Sequence, residues 1–332
     1  TAQFLLQDCR HPVPVIARGR LLLETDEHAY TVTDGETVYR MDRVHGQITS
    51  IVSNGTEMLC APIAPTVWRA PTDNERYASG AYRACGYDRA AVKCYGTQVE
   101  EEGAARVVLS AAFSMGAKAL RPFLSGTVRY TFRPGCGVTL TYEIHRHETE
   151  FFTPMWGIPE PFLPRFGVRV TMPEGSETMR YFGYGPMESY RDKHRAARLS
   201  LFESSVSGNF EHYIRPQENG SHWDCRAASV ANAAGQGLCF FAPHFSFSAS
   251  HFTPEQLAAT KHDYELRPMR ETTVILDYEQ SGIGSNSCGP ELDPAYRLSE
   301  KEFSYSFCVT PAFVNDVEPF GLCAAVEEKE NA

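Results

Sequence analysis

Alternation of apolar and polar residues is the feature that most limits how this sequence can fold, and it is clearest between Gly137 and His145. The residues of one parity are apolar (Val138, Leu140, Tyr142 and Ile144) and those of the other are polar (Thr139, Thr141, Glu143 and His145). Because successive side chains of a β-strand point to opposite faces of the sheet, this pattern predicts a strand with one buried face and one solvated face.

Similar patterns recur at residues 30–33, 37–41, 47–51, 57–59, 127–132, 166–172, 245–250, 272–276 and 302–309. These are too many strands for one small sheet, so we expect two packed sheets. Asn54 and Gly55, between two of these segments, predict a tight hairpin. The predicted fold class is therefore all-β, a large antiparallel β-sandwich.

Helical patterns are few. Thr253, followed by Pro254 and Gln256, is typical of a helix N-terminus and predicts a short helix that ends near His262. Residues 79–85 predict a second short helix. A β/α barrel would need strands that alternate with longer helices, so we expect no such barrel in this chain.

Composition excludes several classes of protein. The net charge is -10 and no basic cluster is present, which argues against a nucleic-acid partner. No apolar run approaches the length that spans a bilayer, which argues against a membrane partner. The chain starts at Thr1 rather than at a methionine, so we expect it to be a piece of a longer polypeptide.

Ten cysteines are scattered along the chain without any Cys-x-x-Cys pair. This spacing argues against a zinc site, and several of the cysteines lie in apolar runs, where a thiol behaves as a small hydrophobic group. We therefore expect reduced cysteines and a cytoplasmic location.

Residues 181–230 interrupt the alternation. Residues 181–192 read YFGYGPMESYRD, and residues 213–223 read YIRPQENGSHW. Glycines and prolines allow tight turns, the aromatic rings offer flat apolar faces, and the polar side chains can bind hydroxyl groups. This composition suits a carbohydrate.

Two further motifs accompany this stretch. Residues 68–74 read WRAPTDN, and residues 281–290 read SGIGSNSCGP and lead to Tyr296-Arg297-Leu298. In this order, the three motifs resemble the C-terminal domain, or small chain, of family 2 β-galactosidases. The resemblance covers about residues 65 to 300.

The resemblance implies a β-sandwich of the galactose-mutarotase type, called a supersandwich, for residues 21–315. It implies that residues 1–20 hold the last strand of a preceding immunoglobulin-like domain, Phe4 to Leu6, and a linker; residues 316–332 would be an acidic tail. It also implies a parent chain whose β/α barrel hydrolyses terminal β-D-galactosides with retention, using two carboxylates that this fragment lacks. The fragment alone would be inactive.

Candidate site residues fall in the three motifs. The family's C-terminal domain places a loop at the rim of the sugar pocket, and that loop resembles residues 282–289, with Asn286, Ser287 and Cys288. Some members carry a tryptophan where Cys288 stands, so sugar stacking at this rim is in question. The alternative is a turn that satisfies only its own backbone.

The remaining candidates are Trp68, Arg69, Asp73 and Asn74 in the first motif, and Tyr184, Glu188, Arg191, Glu218, Asn219, His222 and Trp223 in the central stretch. The first set predicts either contact with a saccharide or the catalytic domain, or, as the favoured alternative, a buried loop held by an Arg69–Asp73 salt bridge. The second set predicts either a carbohydrate platform or side chains that brace long loops against the sandwich.

Two rival functions remain open. An aldose 1-epimerase would use a histidine and a glutamate on the concave face, for which we consider His212, His222, His244, Glu188 and Glu218. A free-standing carbohydrate-binding module is the other.

We expect no cofactor and no metal in this fragment. His145 and His147 share a strand face, next to Glu148, and could form a metal-binding pair. The favoured interpretation is that this face is solvated and binds no metal. Backbone carbonyls near Arg215 and Pro216 could ligate sodium, and Mg or Na is possible in the parent. The expected partners are the barrel and immunoglobulin-like domains of the parent, galactosides, and further copies of the parent in a homo-oligomer.

Overall fold

The computed structural model describes residues 19–148, 162–284 and 286–313. These residues form seventeen strands and two short α-helices. Every strand pair is antiparallel, and the strands form one five-stranded and one twelve-stranded sheet. The predicted all-β antiparallel class is confirmed.

The five-stranded sheet is a simple meander in chain order. Its strands are β1 (Leu21–Thr25), β2 (Ala29–Asp34), β3 (Thr37–Asp42), β4 (Gln47–Ser53) and β5 (Thr56–Glu57). Asn54 and Gly55 join β4 to β5 with φ angles of 49° and 75°. Both values are positive, as a type I′ turn requires, so the predicted hairpin is confirmed.

The larger sheet contains the remaining strands, which are β6 (Ala64–Thr66), β7 (Ala91–Glu102), β8 (Val107–Gly116), β9 (Leu124–Arg133), β10 (Gly137–Arg146), β11 (Arg165–Met172), β12 (Thr178–Gly185), β13 (Arg198–Ser205), β14 (His222–Ala231), β15 (Gln236–Ser250), β16 (Thr272–Gln280) and β17 (Glu302–Phe313). Its main path runs β13-β12-β14-β15-β17-β10-β9-β8-β7. The helices are α1 (Ala78–Ala84) and α2 (Pro254–Ala259).

Strand β15 divides the larger sheet into two layers. Its first part, residues 236–241, pairs with β17, whereas its second part, residues 246–250, pairs with β16. Strand β16 in turn pairs with β11, and β11 pairs with β6. One long strand therefore belongs to both layers, and the core lies between them.

Aromatic side chains join the layers across this core. Tyr142 of β10 and Phe166 of β11 lie 5.9 Å apart between ring centroids, and Phe166 lies 5.1 Å from Phe303 of β17, both edge to face. The five-stranded sheet joins the same core, because Tyr39 meets Phe132 edge to face at 5.2 Å. Edge-to-face contacts of this kind add to the stabilisation from apolar burial.

Elements with strong local signals match their predictions. In β10, Val138, Leu140, Tyr142 and Ile144 are buried, and Glu143 and His145 are exposed. On the predicted solvated face, Thr141 is half-buried, and the prediction is wrong for Thr139, which is buried. Helix α1 spans the predicted region. In α2, the Thr253 hydroxyl accepts a hydrogen bond from Gln256 N at 3.1 Å, but the helix ends at Ala259 because Thr260 is extended.

Several strands lack a period-two signal and were not predicted. Strand β8 is buried on both faces along most of its length, so its residues read as a nearly continuous apolar run. The prediction that alternation stops throughout residues 181–230 is wrong, because this stretch contains the end of β12, β13 and most of β14. Gly183 hides the pattern in β12: a Cβ there would lie 2.3 Å from Cys225 Sγ, so only glycine allows this approach.

Two predicted segments, Phe4–Leu6 and the acidic tail at 316–332, lie outside the described residues. Neither described helix is long and apolar enough to cross a membrane. None of the eight described cysteines takes part in a disulfide.

The shared core gives a test with matched isoleucines. Ile51 in β4 is 0% exposed and Ile214 is 87% exposed. We expect Ile51→Ala to lower the free energy of unfolding by about 2–5 kcal/mol, because it leaves a cavity. Ile214→Ala is expected to change it by less than about 0.5 kcal/mol.

Denaturant titration followed by both far-UV circular dichroism and tryptophan fluorescence provides the measurement. For Ile51→Ala, one coincident transition at lower denaturant is expected from both probes. An early transition confined to one probe would contradict a core shared by the two sheets.

Candidate functional site

The three sequence motifs meet at the backbone of residues 281–284. Arg69 donates to Ser281 O at 2.5 Å and to Gly282 O at 3.0 Å. The Thr72 hydroxyl donates to Ile283 O at 3.2 Å, and Asn74 Nδ2 donates to Gly284 O at 2.7 Å. Four consecutive carbonyls of the third motif are thus bound by side chains of the first.

Asp192, the last residue of the central motif's first half, holds the same segment through its amides. Its carboxylate accepts from Ile283 N at 3.0 Å and from Gly284 N at 2.9 Å. Gly282 makes this approach possible, since a Cβ there would lie 2.5 Å from the carboxylate. We call residues 281–284 the loop base, and its position is fixed by hydrogen bonds on both backbone edges.

The tip that follows the loop base reaches the surface. Ser287 and Cys288 are exposed and Asn286 is half-buried. The tip's side chains are thus presented to solvent by a backbone that the first two motifs hold in place.

Arg69 is fully buried, and its ionic partner is Glu75 at 2.7 Å, not Asp73. The predicted Arg69–Asp73 salt bridge is therefore wrong. Glu75 is the last residue of the 3₁₀ turn Asp73–Glu75, and its side chain folds back to the start of the turn. There its carboxylate also accepts from Thr72 N at 3.0 Å. Asp73 is exposed and instead accepts Gln217 Nε2 at 3.4 Å.

Arg69 keeps its charge in spite of burial. Burial opposes the guanidinium charge, but the Glu75 carboxylate outweighs this effect and raises the pKa of Arg69 above its usual value. Glu75 also accepts the Tyr82 hydroxyl at 3.2 Å. The pair thus has a buried polar environment that satisfies the carboxylate on several sides.

A second buried ion cluster lies beside the first. Arg165 Nη2 donates to Glu218 at 2.8 Å and to Asp277 at 3.1 Å, and all three side chains are buried. Gln280 extends the first cluster, because its Oε1 accepts from Arg69 at 3.3 Å and its Nε2 donates to Ser221 Oγ at 2.9 Å.

The two clusters together contain one more carboxyl group than guanidinium groups. Burial raises the pKa of Asp277 to about 7; Arg165 opposes this shift and Glu218 adds to it. Burial also raises the pKa of Glu218, against the opposing charges of Arg165 and Arg69. Burial thus favours the protonated form of both Asp277 and Glu218.

Glu188 braces the central stretch rather than facing solvent. Its carboxylate accepts from Lys193 Nζ at 2.6 Å, Tyr213 OH at 2.5 Å, Gly220 N at 3.0 Å and Tyr190 OH at 3.3 Å. Burial alone would raise its pKa, but the donors, Lys193 first, lower it below the usual range. Both oxygens are therefore occupied by the chain itself.

His222 and Trp223 point into different surroundings. His222 is buried, stacks on Tyr181 at 3.9 Å and lies 2.8 Å from Asn209 Oδ1, and burial lowers its pKa to about 4. Trp223 is half-buried and stacks on His194 at 4.2 Å, with Tyr184 at 5.3 Å. The candidates Tyr184 and Trp223 are thus brought together, and His222 is not.

The remaining candidates have local partners. Arg191 lies 3.7 Å from Glu279, and Asn219 donates to Gln217 O at 2.8 Å. Trp68 is buried, with the Arg83 guanidinium 5.7 Å from its ring centroid.

The residues considered for an epimerase do not form a pair. His212 lies 2.9 Å from Asp263. His244 lies 2.7 Å from Asp224 and 3.0 Å from Glu279, and these carboxylates overcome burial to raise its pKa to about 9. Within the described ranges, no hydrogen bond joins His212, His222 or His244 to Glu188 or Glu218.

The residues described here do not fit a metal site. They contain no group of three or more His, Cys, Asp or Glu side chains arranged to hold an ion. Arg215 O, the carbonyl considered for sodium, accepts Gln217 Nε2 at 3.4 Å.

Comparison with known proteins identifies a family that contains all three motifs. Residues 33–309 match the family described as the β-galactosidase small chain. The chain belongs to this family. The matched residues include all three motifs and the side chains that hold the loop base.

Relatives in this family are much longer than the small-chain domain. A β-galactosidase from Actinobacillus pleuropneumoniae is 34% identical over 298 residues, which are 89% of this chain and 28% of that relative. One from Staphylococcus xylosus is 32% identical over 287 residues, which are 86% of this chain and 28% of the relative. Among solved structures, a galactose mutarotase-like protein from Lactobacillus casei has a TM-score of 0.43 and 9% identity, covering 88% of this chain and 100% of its own.

Sequence reasoning missed the residues that hold the loop base and the buried clusters. Asp192 lies in the central motif at residues 181–192. The available indication was the glycine-rich segment 281–290, whose backbone amides a carboxylate can bind. Arg165 lies one residue before the predicted strand at 166–172, and Asp277 lies one residue after the predicted strand at 272–276, so neither was included in a strand. A charged residue directly beside an apolar strand was the available signal.

A small chemical change in the buried Arg69–Glu75 pair is expected to lower the free energy of unfolding strongly. Glu75→Gln keeps the shape of the side chain but leaves Arg69 as a buried charge without its anion, so we expect a loss of about 3–5 kcal/mol in the free energy of unfolding. Glu174→Gln breaks the exposed Arg270–Glu174 pair, with side chains 80% and 66% exposed, and is the matched control. It should change stability by about 0–1 kcal/mol. Equal losses in urea titrations of the two variants would contradict the assigned roles.

Asp277 predicts a defined pH dependence. Its pKa is higher in the folded state, so its contribution to stability is complete below the ordinary carboxyl pKa of about 4 and is lost as the pH rises through about 7. Asp277→Asn removes this titration. We expect the decline in unfolding free energy between pH 5 and pH 8 to be smaller in Asp277→Asn than in the unmodified chain, measured by urea titration across this range. An unchanged pH profile would refute the assignment.

Proposed function

We propose that this chain is the non-catalytic C-terminal domain of a glycoside hydrolase family 2 β-galactosidase, whose intact parent hydrolyses terminal β-D-galactosides with retention. In this proposal the domain packs on the catalytic barrel and forms part of the rim of the sugar site. Membership of the small-chain family and the β-galactosidase names of the longer relatives support it.

The environment of the buried carboxyl groups supports a non-catalytic role. A retaining glycosidase needs two carboxyl groups about 5 Å apart that both reach the substrate. Glu218 and Asp277 are held together by Arg165, but their side chains are only 5% and 0% exposed. Glu218 and Asp277 stabilise the fold through Arg165 and have no access to a glycosidic bond.

The loop base is the observation that carries the rim assignment. Arg69, Thr72, Asn74 and Asp192 fix the backbone of residues 281–284, and the exposed tip follows directly. A binding loop that is fixed before it meets its partner loses less conformational entropy on binding. The tip at residues 286–289 is therefore suited to a contact that must be placed precisely.

The proposal extends to the parent's surroundings. We place the parent in the cytoplasm as a homo-oligomer, with immunoglobulin-like domains beside the barrel and with Mg or Na at sites supplied by the rest of the parent. The dispersed cysteines support a reducing compartment.

The first test is enzymatic. We expect this chain alone to release no chromophore from a nitrophenyl β-galactoside, because the catalytic carboxylates lie elsewhere. Turnover at the level of an intact β-galactosidase would refute the non-catalytic assignment. Restoration of activity when this chain is combined with the catalytic remainder of the parent is the expected positive result.

Asp192 tests the rim assignment. Asp192→Ala removes both acceptors for the amides of Ile283 and Gly284, so the loop tip loses its fixed position. In the joined enzyme we expect KM for galactosides to rise about tenfold, as expected for the loss of one charge-assisted contact.

Asp26→Ala is the matched control for this test. Asp26 also accepts two backbone amides, from His28 and Ala29, each at 2.7 Å, but in an exposed turn of the five-stranded sheet. It should leave KM unchanged. A wild-type KM for Asp192→Ala, together with faster hydrogen exchange at Ile283 and Gly284, would show that the loop base moves without affecting the sugar site.

A further inference from the structure

A second feature, separate from the loop base, is a cleft where the two sheets meet helix α2. It has a volume of about 350 Å³ and is lined by residues of β4, β6, β7, β8, β11, α2 and the turn at Tyr87–Arg89. Pockets that hold small molecules start at about 300 Å³, so the cleft is large enough for a small ligand.

One part of the cleft is apolar. Pro65 and Val92 are half-buried and form its accessible apolar surface, whereas Trp68 and Met115, which also line it, are buried. The C–H faces of a sugar ring can be buried against apolar side chains of this kind.

The polar part of the cleft contains planar hydrogen-bonding groups. Gln47, Asp88, Arg169 and Glu255 line it. Arg169 Nη2 donates to Glu255 at 2.6 Å, and their side chains are 25% and 48% exposed, so each orients the other.

Charge balance identifies the class of ligand. The Arg169 charge is matched by Glu255, and the Asp88 charge is matched by Arg89 at 2.8 Å. An anion would meet the Asp88 and Glu255 carboxylates, and a cation would meet the Arg169 guanidinium. A neutral molecule with many hydroxyl groups meets paired donors and acceptors without a net repulsion.

We propose that this cleft binds a neutral saccharide of one or two rings, independently of the loop at residues 281–290. The apolar wall packs against one face of a sugar ring, and the Arg169–Glu255 pair, Asp88 and Gln47 bind its hydroxyl groups. The site stands apart from catalysis and would hold a saccharide on the surface of the domain.

Titration of the whole chain tests this proposal. Galactose, glucose and lactose are added separately, with inorganic sulfate as the charged comparison, and binding is followed by calorimetry and by the indole signal of Trp68 in two-dimensional NMR. We expect saturable binding of at least one saccharide with Kd on the order of 1 mM, and none of sulfate. Absence of saturable binding by all three saccharides, or binding of sulfate alone, overturns the proposal.

Matched variants locate the site. Glu255→Gln and Arg169→Lys should each weaken saccharide binding at least about tenfold, and Gln47→Ala should weaken it without touching the ion pair. Glu174→Gln, in an ion pair outside the cleft, and Cys288→Ala, at the loop tip, should leave it unchanged. Unchanged affinity in Glu255→Gln, with the same melting temperature as the unmodified chain, overturns the assignment. Loss of binding in Cys288→Ala would assign the saccharide to the loop tip and would also overturn the assignment to the cleft.

Discussion

The structure depends on a positive charge that has no contact with water. Arg69 is 0% exposed, and removing a guanidinium from solvent costs several kcal/mol unless its donors find good partners. Those partners are Glu75 in its own motif, Gln280 at the end of β16, and the carbonyls of the loop base. The charge is therefore tolerated only when segments more than 200 residues apart in the chain are assembled together.

This requirement explains why the motifs are irregular strings rather than alternating strands. The side chains at Thr72, Asn74 and Asp192 bind backbone atoms, and the glycine at 282 leaves room for the Asp192 carboxylate. Buried polar networks of this kind specify one arrangement, because a partly satisfied network is worse than an apolar core. The position of the loop tip is thus set by the same contacts that keep the charges paired.

Local features of the fold could be predicted from the sequence, because local residues determine them. The alternation in β10, the Asn54-Gly55 turn and the Thr253 cap each depend on neighbours within a few positions. Strands buried on both faces, such as β8 and the first part of β15 at residues 236–241, have no alternation to detect. Their presence depends on what packs against them.

The candidate site was predictable only in part. The sequence identified the three motifs, but not that they share one set of hydrogen bonds. The short separation of Arg69 and Asp73 in one loop favours Asp73 as the ionic partner, whereas a 3₁₀ turn brings Glu75 to Arg69 instead. For Glu188, residue type suggested a group open to hydroxyls, and only its four donors from the chain show that it is already saturated.

The position of β17 has a consequence for synthesis. This strand lies between β10 and β15, so both of them keep an unpaired edge until residues 302–313 have left the ribosome. At typical elongation rates of roughly 5–20 residues per second, that exposure lasts for many seconds. During this time the growing polypeptide is a target for chaperones and for edge-to-edge aggregation.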